Sequence, residues 1–141
     1  MSDAAQKPVP RPAPESVRYW RAAREHRLEL PRCNACGKFW FPPSQSCPHC
    51  LAADFAWTPV SGVGKVYSFV TFHRVYHPAF AQEVPYVVAL VELAEGPRLL
   101  SNIVGVAPEA VACEMPVKVV FDDVEEGVSV PKFVPLNAPA K

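Results

Sequence analysis

Cys33, Cys36, Cys47 and Cys50 form two Cys-x-x-Cys pairs with ten residues between them. Each pair is a knuckle that offers two sulfurs to one ion, and the intervening segment is long enough for a hairpin that brings the knuckles together. Four soft sulfur donors select zinc, or iron in a rubredoxin-like centre, over harder cations, and zinc is the expected cofactor. Four cysteines fill a tetrahedral site and leave no position for water or substrate. The expected work of the metal is therefore to hold the fold rather than to activate a nucleophile. Gly37 suits the tight turn after the first knuckle, and Leu51 holds the equivalent place after the second. His49, inside a knuckle, is expected to face solvent rather than to ligate.

The other reactive side chains are less well placed. Cys113 precedes Glu114-Met115-Pro116 with no base close in sequence, so it is read as a small buried hydrophobe. His73, Tyr76, His77 and Phe80 cluster in one segment, yet no carboxylate is spaced to orient either histidine. They read as a surface loop whose aromatics pack on the body of the protein or on a partner, and no catalytic residue is expected in this chain. Arg18, Arg21, Arg24 and Arg27 recur every third residue, a winding ridge that Glu25 and Glu29 partly neutralise. Such a ridge is either a solvated face or a docking site for an acidic partner or a phosphate, with Tyr19 and Trp20 as aromatic anchors.

The elements that must position these residues follow from composition and pattern. The chain has 141 residues, half of them apolar and a fifth charged, enough for one small domain and a metal-stapled module. There is no secretory leader pattern and no membrane-length apolar run, so the cysteines are not read as a disulfide scaffold and the expected location is the cytoplasm. Lys plus Arg equals Asp plus Glu at 14 each, which removes the global field that would draw in a polyanion.

Residues 1–14, rich in proline, are expected to be a disordered tail, and residues 136–141 a second tail. Glu15 to Leu30 lacks Pro and Gly and carries Val17, Trp20 and Leu28 on part of one helical face, which predicts a helix over 15–31 ended by Pro31. The ribbon is expected over 32–56, with Phe39-Trp40-Phe41 as a short aromatic strand. Five β-rich runs follow over 57–135: Gly64 to Phe72, Tyr86 to Leu93, Arg98 to Val104, Val117 to Phe121 and Val128 to Val134. The almost wholly apolar run from Tyr86 to Val91 suits a strand covered on both faces or curled in a small barrel. With one helical turn predicted over 108–112, the pattern is that of a five-stranded OB barrel. The expected fold is mainly β: a helix, a four-cysteine ribbon, then the barrel.

Taken in order, Tyr19-Trp20, Cys33-x-x-Cys36-Gly37, Phe41-Pro42-Pro43, Cys47-Pro48-x-Cys50, Trp57, Gly62-x-Gly64, Pro85-Tyr86, Glu95-Gly96-x-Arg98 and Met115-Pro116-Val117 resemble one family. It is the rubredoxin-like zinc-ribbon OB-fold family, formerly a domain of unknown function, and the resemblance covers residues 15 to 135. Ser44 is a departure, standing where many members of that family carry arginine. The resemblance implies an accessory subunit of a thiolase-like enzyme acting on acyl-CoA by acyl transfer, condensation or retro-aldol cleavage of steroid side chains. The catalytic residues would then lie on the partner, and Tyr19, Trp20, Trp40, Tyr76 and Phe80 are the expected partner contacts in a hetero-oligomer. The alternative reading is a single-stranded nucleic-acid binder, because OB barrels with exposed aromatics also serve that purpose.

Overall fold

Strand alternation builds the larger half of the molecule. The computed structural model describes residues 9–137. A short 3-10 turn at Pro14–Ser16 leads into α1 (Val17–Arg24), and β1 (Glu29–Cys33) pairs antiparallel with β2 (Phe55–Pro59) to frame the ribbon. Then β3 (Val63–Phe72), β4 (Tyr86–Leu93), β5 (Arg98–Ile103), β6 (Pro116–Glu125) and β7 (Val128–Pro135) close into a barrel in the order β3-β4-β5-β7-β6. All neighbours are antiparallel except β5 and β7, which meet in parallel at Ile103 and Phe133. That closure is the OB arrangement. The turn expected between the third and fourth barrel strands is a 3-10 turn at Pro108–Ala110.

Along β4 every second residue points inward: Val87, Ala89, Val91 and Leu93 are at most 2% exposed, while their neighbours are half-buried. The continuous apolar run is thus the strand of a curled barrel with one face in the core, where Phe133, Val66 and Val117 meet it. Closure depends on Gly64, which pairs with Leu93 of β4 on one side and Val117 of β6 on the other. A Cβ at this position would sit 2.4 Å from the Glu92 carbonyl oxygen, so only glycine lets the strands cross this closely.

The helix is shorter than the expected span of 15–31. His26 takes a left-handed conformation (φ 60°), and the N–H groups of His26 and Arg27 donate back to the carbonyls of Ala23 and Ala22 at 2.8 and 2.9 Å. This is a Schellman closure with histidine in the place glycine usually holds, which is why composition did not reveal it. Leu28 therefore lies beyond the helix, and Leu30 and Pro31 belong to β1. Glu29, 4% exposed, accepts from Arg18 Nε at 3.1 Å and from Arg27 Nη1, so a buried carboxylate pins both ends of the helical segment to the ribbon. Tyr19, Ala22 and Ala23 are the buried face of α1, which packs on β7 and β1.

The aromatic segment of the ribbon differs too. The aromatic run Phe39-Trp40-Phe41 forms only a single bridge, Phe39 with Arg32, because Trp40 turns into the ribbon core beside Cys33 and Cys47. The expected division at residue 57 lies within β2, which pairs with β1 as far as Pro59. Most of the tails expected over 1–14 and 136–141 lies outside the described residues. No described helix is long and apolar enough to cross a membrane.

Candidate metal centre

The two knuckles share one backbone design. In the first, Cys33 N–H donates to Lys38 O at 2.9 Å and Gly37 N–H returns to Cys33 O at 2.9 Å; in the second, Cys47 N–H donates to Ala52 O and Leu51 N–H to Cys47 O, both at 2.8 Å. Gly37 and Leu51 both adopt positive φ, 79° and 67°, as their equivalent positions require. Leucine at such a position is strained by about 1 kcal/mol, and at 79% exposure it recovers little by packing.

These turns place four sulfurs within 4.8 Å of one another, with Cys33 and Cys50 at 3.5 Å and Cys36 and Cys47 at 3.7 Å. Zinc–sulfur bonds of about 2.3 Å in a tetrahedron put sulfurs about 3.8 Å apart, so the four cysteines form a cluster of the size the metal needs. Backbone N–H groups aim at the inner sulfurs: Ala35 and Cys36 reach Cys33 Sγ at 3.3 and 3.4 Å, and His49 N reaches Cys47 Sγ at 3.3 Å. The Cys33 thiol is drawn down to about 7, first by the Cys36 N–H. Cys50 receives an N–H from Ala52, yet hydrogen bonding with Cys33, burial and the other sulfurs hold it up at about 12. Four thiolates this close cannot all ionise unaided, and a divalent cation is what makes the fully deprotonated set stable. A cluster of four sulfurs of this size is a zinc site.

Cys33 and Cys47 are 2% and 0% exposed, whereas Cys36 and Cys50 face solvent. Trp40 caps the inner pair and donates Nε1–H to Ser44 Oγ at 3.0 Å, and the Ser44 hydroxyl donates to Ser46 O at 2.9 Å. Ser44, itself exposed, thus braces Trp40 within the ribbon. His49 is exposed and outside the sulfur cluster.

Both parts of the chain match family models: residues 20–56 the ChsH2 rubredoxin-like zinc ribbon domain, and residues 57–122 the ChsH2 C-terminal OB-fold domain. The chain belongs to the ChsH2-type, or DUF35, zinc-ribbon OB-fold family. A DUF35 domain-containing scaffold protein of Methanocaldococcus jannaschii is 38% identical over 78% of this chain and 79% of its own length. A probable enoyl-CoA hydratase alpha subunit of Thermomonospora curvata is 42% identical over 92% of this chain, which spans only 42% of that longer relative. Among solved structures, a chain of the Ltp2-ChsH2(DUF35) aldolase is 40% identical with a TM-score of 0.81, covering 89% of this chain and 98% of that one.

The remaining expected site residues of this DUF35 chain are dispersed. Tyr19 and Trp40, expected as surface anchors, are 4% and 3% exposed, because one seals α1 to the barrel and the other fills the ribbon. Burial also pushes the Tyr19 phenol well above its ordinary range. Trp20 is half-buried, edge-on to Tyr19 at 5.0 Å. Tyr76 is 68% exposed in the β3–β4 connection, and Phe80 packs between Tyr86 and His77. His77 Nδ1 accepts from Ala79 N–H at 3.0 Å, a turn-capping role. Cys113, expected to be buried, is exposed, since the chain leaves the barrel at this turn. Sequence reasoning missed the outer face of β3 to β5, where Val70 and Leu100 are 55% and 70% exposed. Their alternation signal marks two faces and does not say which one stays uncovered. A cleft of about 610 Å³ separates the ribbon from the β4–β5 turn, floored by Phe39 and Phe41 and edged by Lys38 and Arg98.

Proposed function

We propose that this chain is a non-catalytic accessory subunit that binds a thiolase-like or aldolase-type enzyme acting on acyl-CoA and shapes or covers that enzyme's active-site tunnel. The observation that carries this reading is the match of 89% of this chain, at 40% identity, to a chain of the Ltp2-ChsH2(DUF35) aldolase. The chemistry of the chain supports it. The one metal-ligating cluster found among the described residues is coordinatively complete with four sulfurs, and a zinc ion there stabilises rather than reacts. Cys113 lies in a different connection from the β3–β4 segment that carries His73 and His77, and His77 Nδ1 is occupied by the Ala79 N–H. Exposed Val70, Tyr76 and Leu100, with half-buried Trp20 and Phe80, supply apolar surface for a partner.

The reaction served is acyl transfer, condensation or retro-aldol cleavage next to a thioester, and steroid side-chain thioesters are the substrate class to try first. Zinc rather than iron occupies the ribbon. A cytoplasmic location is the reading that suits ribbon cysteines used as metal ligands and a Cys113 with no disulfide partner. The barrel half argues against nucleic acid: residues 57–137 carry five Lys and Arg against nine Asp and Glu.

The test is to purify the affinity-tagged full chain from its native cell, identify what it carries, and assay acyl-CoA turnover by chain, partner and complex. The reading expects an acyl-CoA enzyme whose activity depends on this chain. Turnover by the chain alone, abolished by His77→Ala, would overturn it.

A further inference from the structure

Of the four arginines on and just after α1, two are spent within the chain. Arg18 and Arg27 both bind Glu29, and Arg27 also holds Glu25 at 2.5 Å. Arg21 and Arg24 are exposed and make no ion pair among the described residues, and Glu25, whose charge both of them favour, is committed to Arg27. At 100° per residue, Val17, Arg21 and Arg24 share the side of α1 facing away from buried Tyr19, Ala22 and Ala23, and Trp20, half-buried against the core, lies at the edge of that stripe. Val17 is 39% exposed on that stripe.

Trp20 is braced for contact. Its ring meets Tyr19 edge-on at 90°, and Tyr19 is itself fixed against Phe41 at 5.3 Å. A large ring held this way loses little freedom when covered, which is the property of an interface anchor. The stripe also lies in the positive half of an otherwise neutral molecule: residues 9–56 carry seven Lys and Arg against four Asp and Glu, the reverse of the barrel's balance. Two unpaired guanidiniums beside an apolar anchor match a surface of the opposite sign with a recess at its centre.

We propose that the stripe Val17, Trp20, Arg21 and Arg24 is the docking face for the catalytic partner, which presents an acidic patch around an apolar recess that takes the Trp20 ring. This rests on the accessory-subunit reading above and names the surface and the partner chemistry that reading leaves open.

The experiment compares the native complex of the full chain with complexes of the Arg21→Glu/Arg24→Glu double variant, Trp20→Ala, and Arg11→Glu as a charge control. Dissociation constants are measured at two salt concentrations, with hydrogen exchange of residues 17–24 in free and bound chain. The double variant is expected to bind at least about tenfold more weakly, with the wild-type salt dependence flattened, while Arg11→Glu binds normally. Residues 17–24 of the wild type are expected to gain protection on binding, a readout independent of how any variant folds. Unchanged affinity together with unchanged protection overturns the proposal and leaves the accessory role standing. Shielding of the stripe by a second copy of this chain, seen as self-association lost in the double variant, also overturns it. Recovery of no acyl-CoA enzyme with the wild type defeats the accessory role itself, a result distinct from the other two.

Discussion

His26 Nε2 lies 2.8 Å from Asp123 Oδ1, joining the residue that ends α1 to a strand ninety-seven positions away. The imidazole also stacks on Phe121 at 5.2 Å with 5° between the planes. Asp123 accepts a second hydrogen bond from the hydroxyl of buried Ser129 on the neighbouring strand. One carboxylate thus ties the helix to the β6–β7 hairpin, through groups that are half or more open to water at the His26 and Asp123 end.

That carboxylate makes stability depend on acidity. The Ser129 hydroxyl, and then His26, hold Asp123 below its ordinary value of 3.8. A depressed carboxylate contributes its stability above the unfolded value and loses it as pH falls through the folded one. Asp123→Asn is therefore expected to lower the melting temperature at pH 6 to 7, with the two melting curves converging as the pH drops below about 4. A gap of constant size down to acid pH would show that Asp123 acts by shape and not by charge.

Leu51 offers a change that should improve the protein. Its positive φ copies that of Gly37, but leucine bears the steric cost of the left-handed region and is mostly exposed. Leu51→Gly is expected to raise stability by about 0.5–1 kcal/mol in chemical denaturation, with zinc content unchanged. A loss of stability would mean that the leucine side chain is packed in a way its exposure does not suggest.

Replacement of a ligand should separate the ribbon from the barrel. Cys33→Ser is expected to abolish zinc binding and loosen the small core of Cys33, Trp40 and Cys47, because three sulfurs and an alcohol hold the metal far less well. The barrel core around Val66, Val91 and Phe133 does not include the ribbon cysteines and should persist. Metal analysis should read zero, near-ultraviolet dichroism from Trp40 should collapse, and the far-ultraviolet β signal should remain. Full zinc occupancy in Cys33→Ser would contradict the four-sulfur assignment.

The parts of this protein that short-range chain chemistry specifies were legible in its residues. Two Cys-x-x-Cys pairs declare a tetrahedral sulfur site, because a knuckle is a local turn with its own hydrogen bonds. The almost wholly apolar run from Tyr86 to Val91 declares a strand of a tightly curled barrel, because such a sheet covers much of both its faces. Only the tertiary structure decided where the helix stops, since His26 accepts a left-handed turn in exchange for contacts with Phe121 and Asp123, residues far along the chain. It also decided which aromatics remain available. Tyr19 and Trp40 have the composition of surface anchors but are enclosed by elements that arrive later, while Leu100, a core-type residue, is left outside. Periodicity defines the faces of an element. Which face is covered depends on every other element that packs against it, and no short window of sequence contains that information.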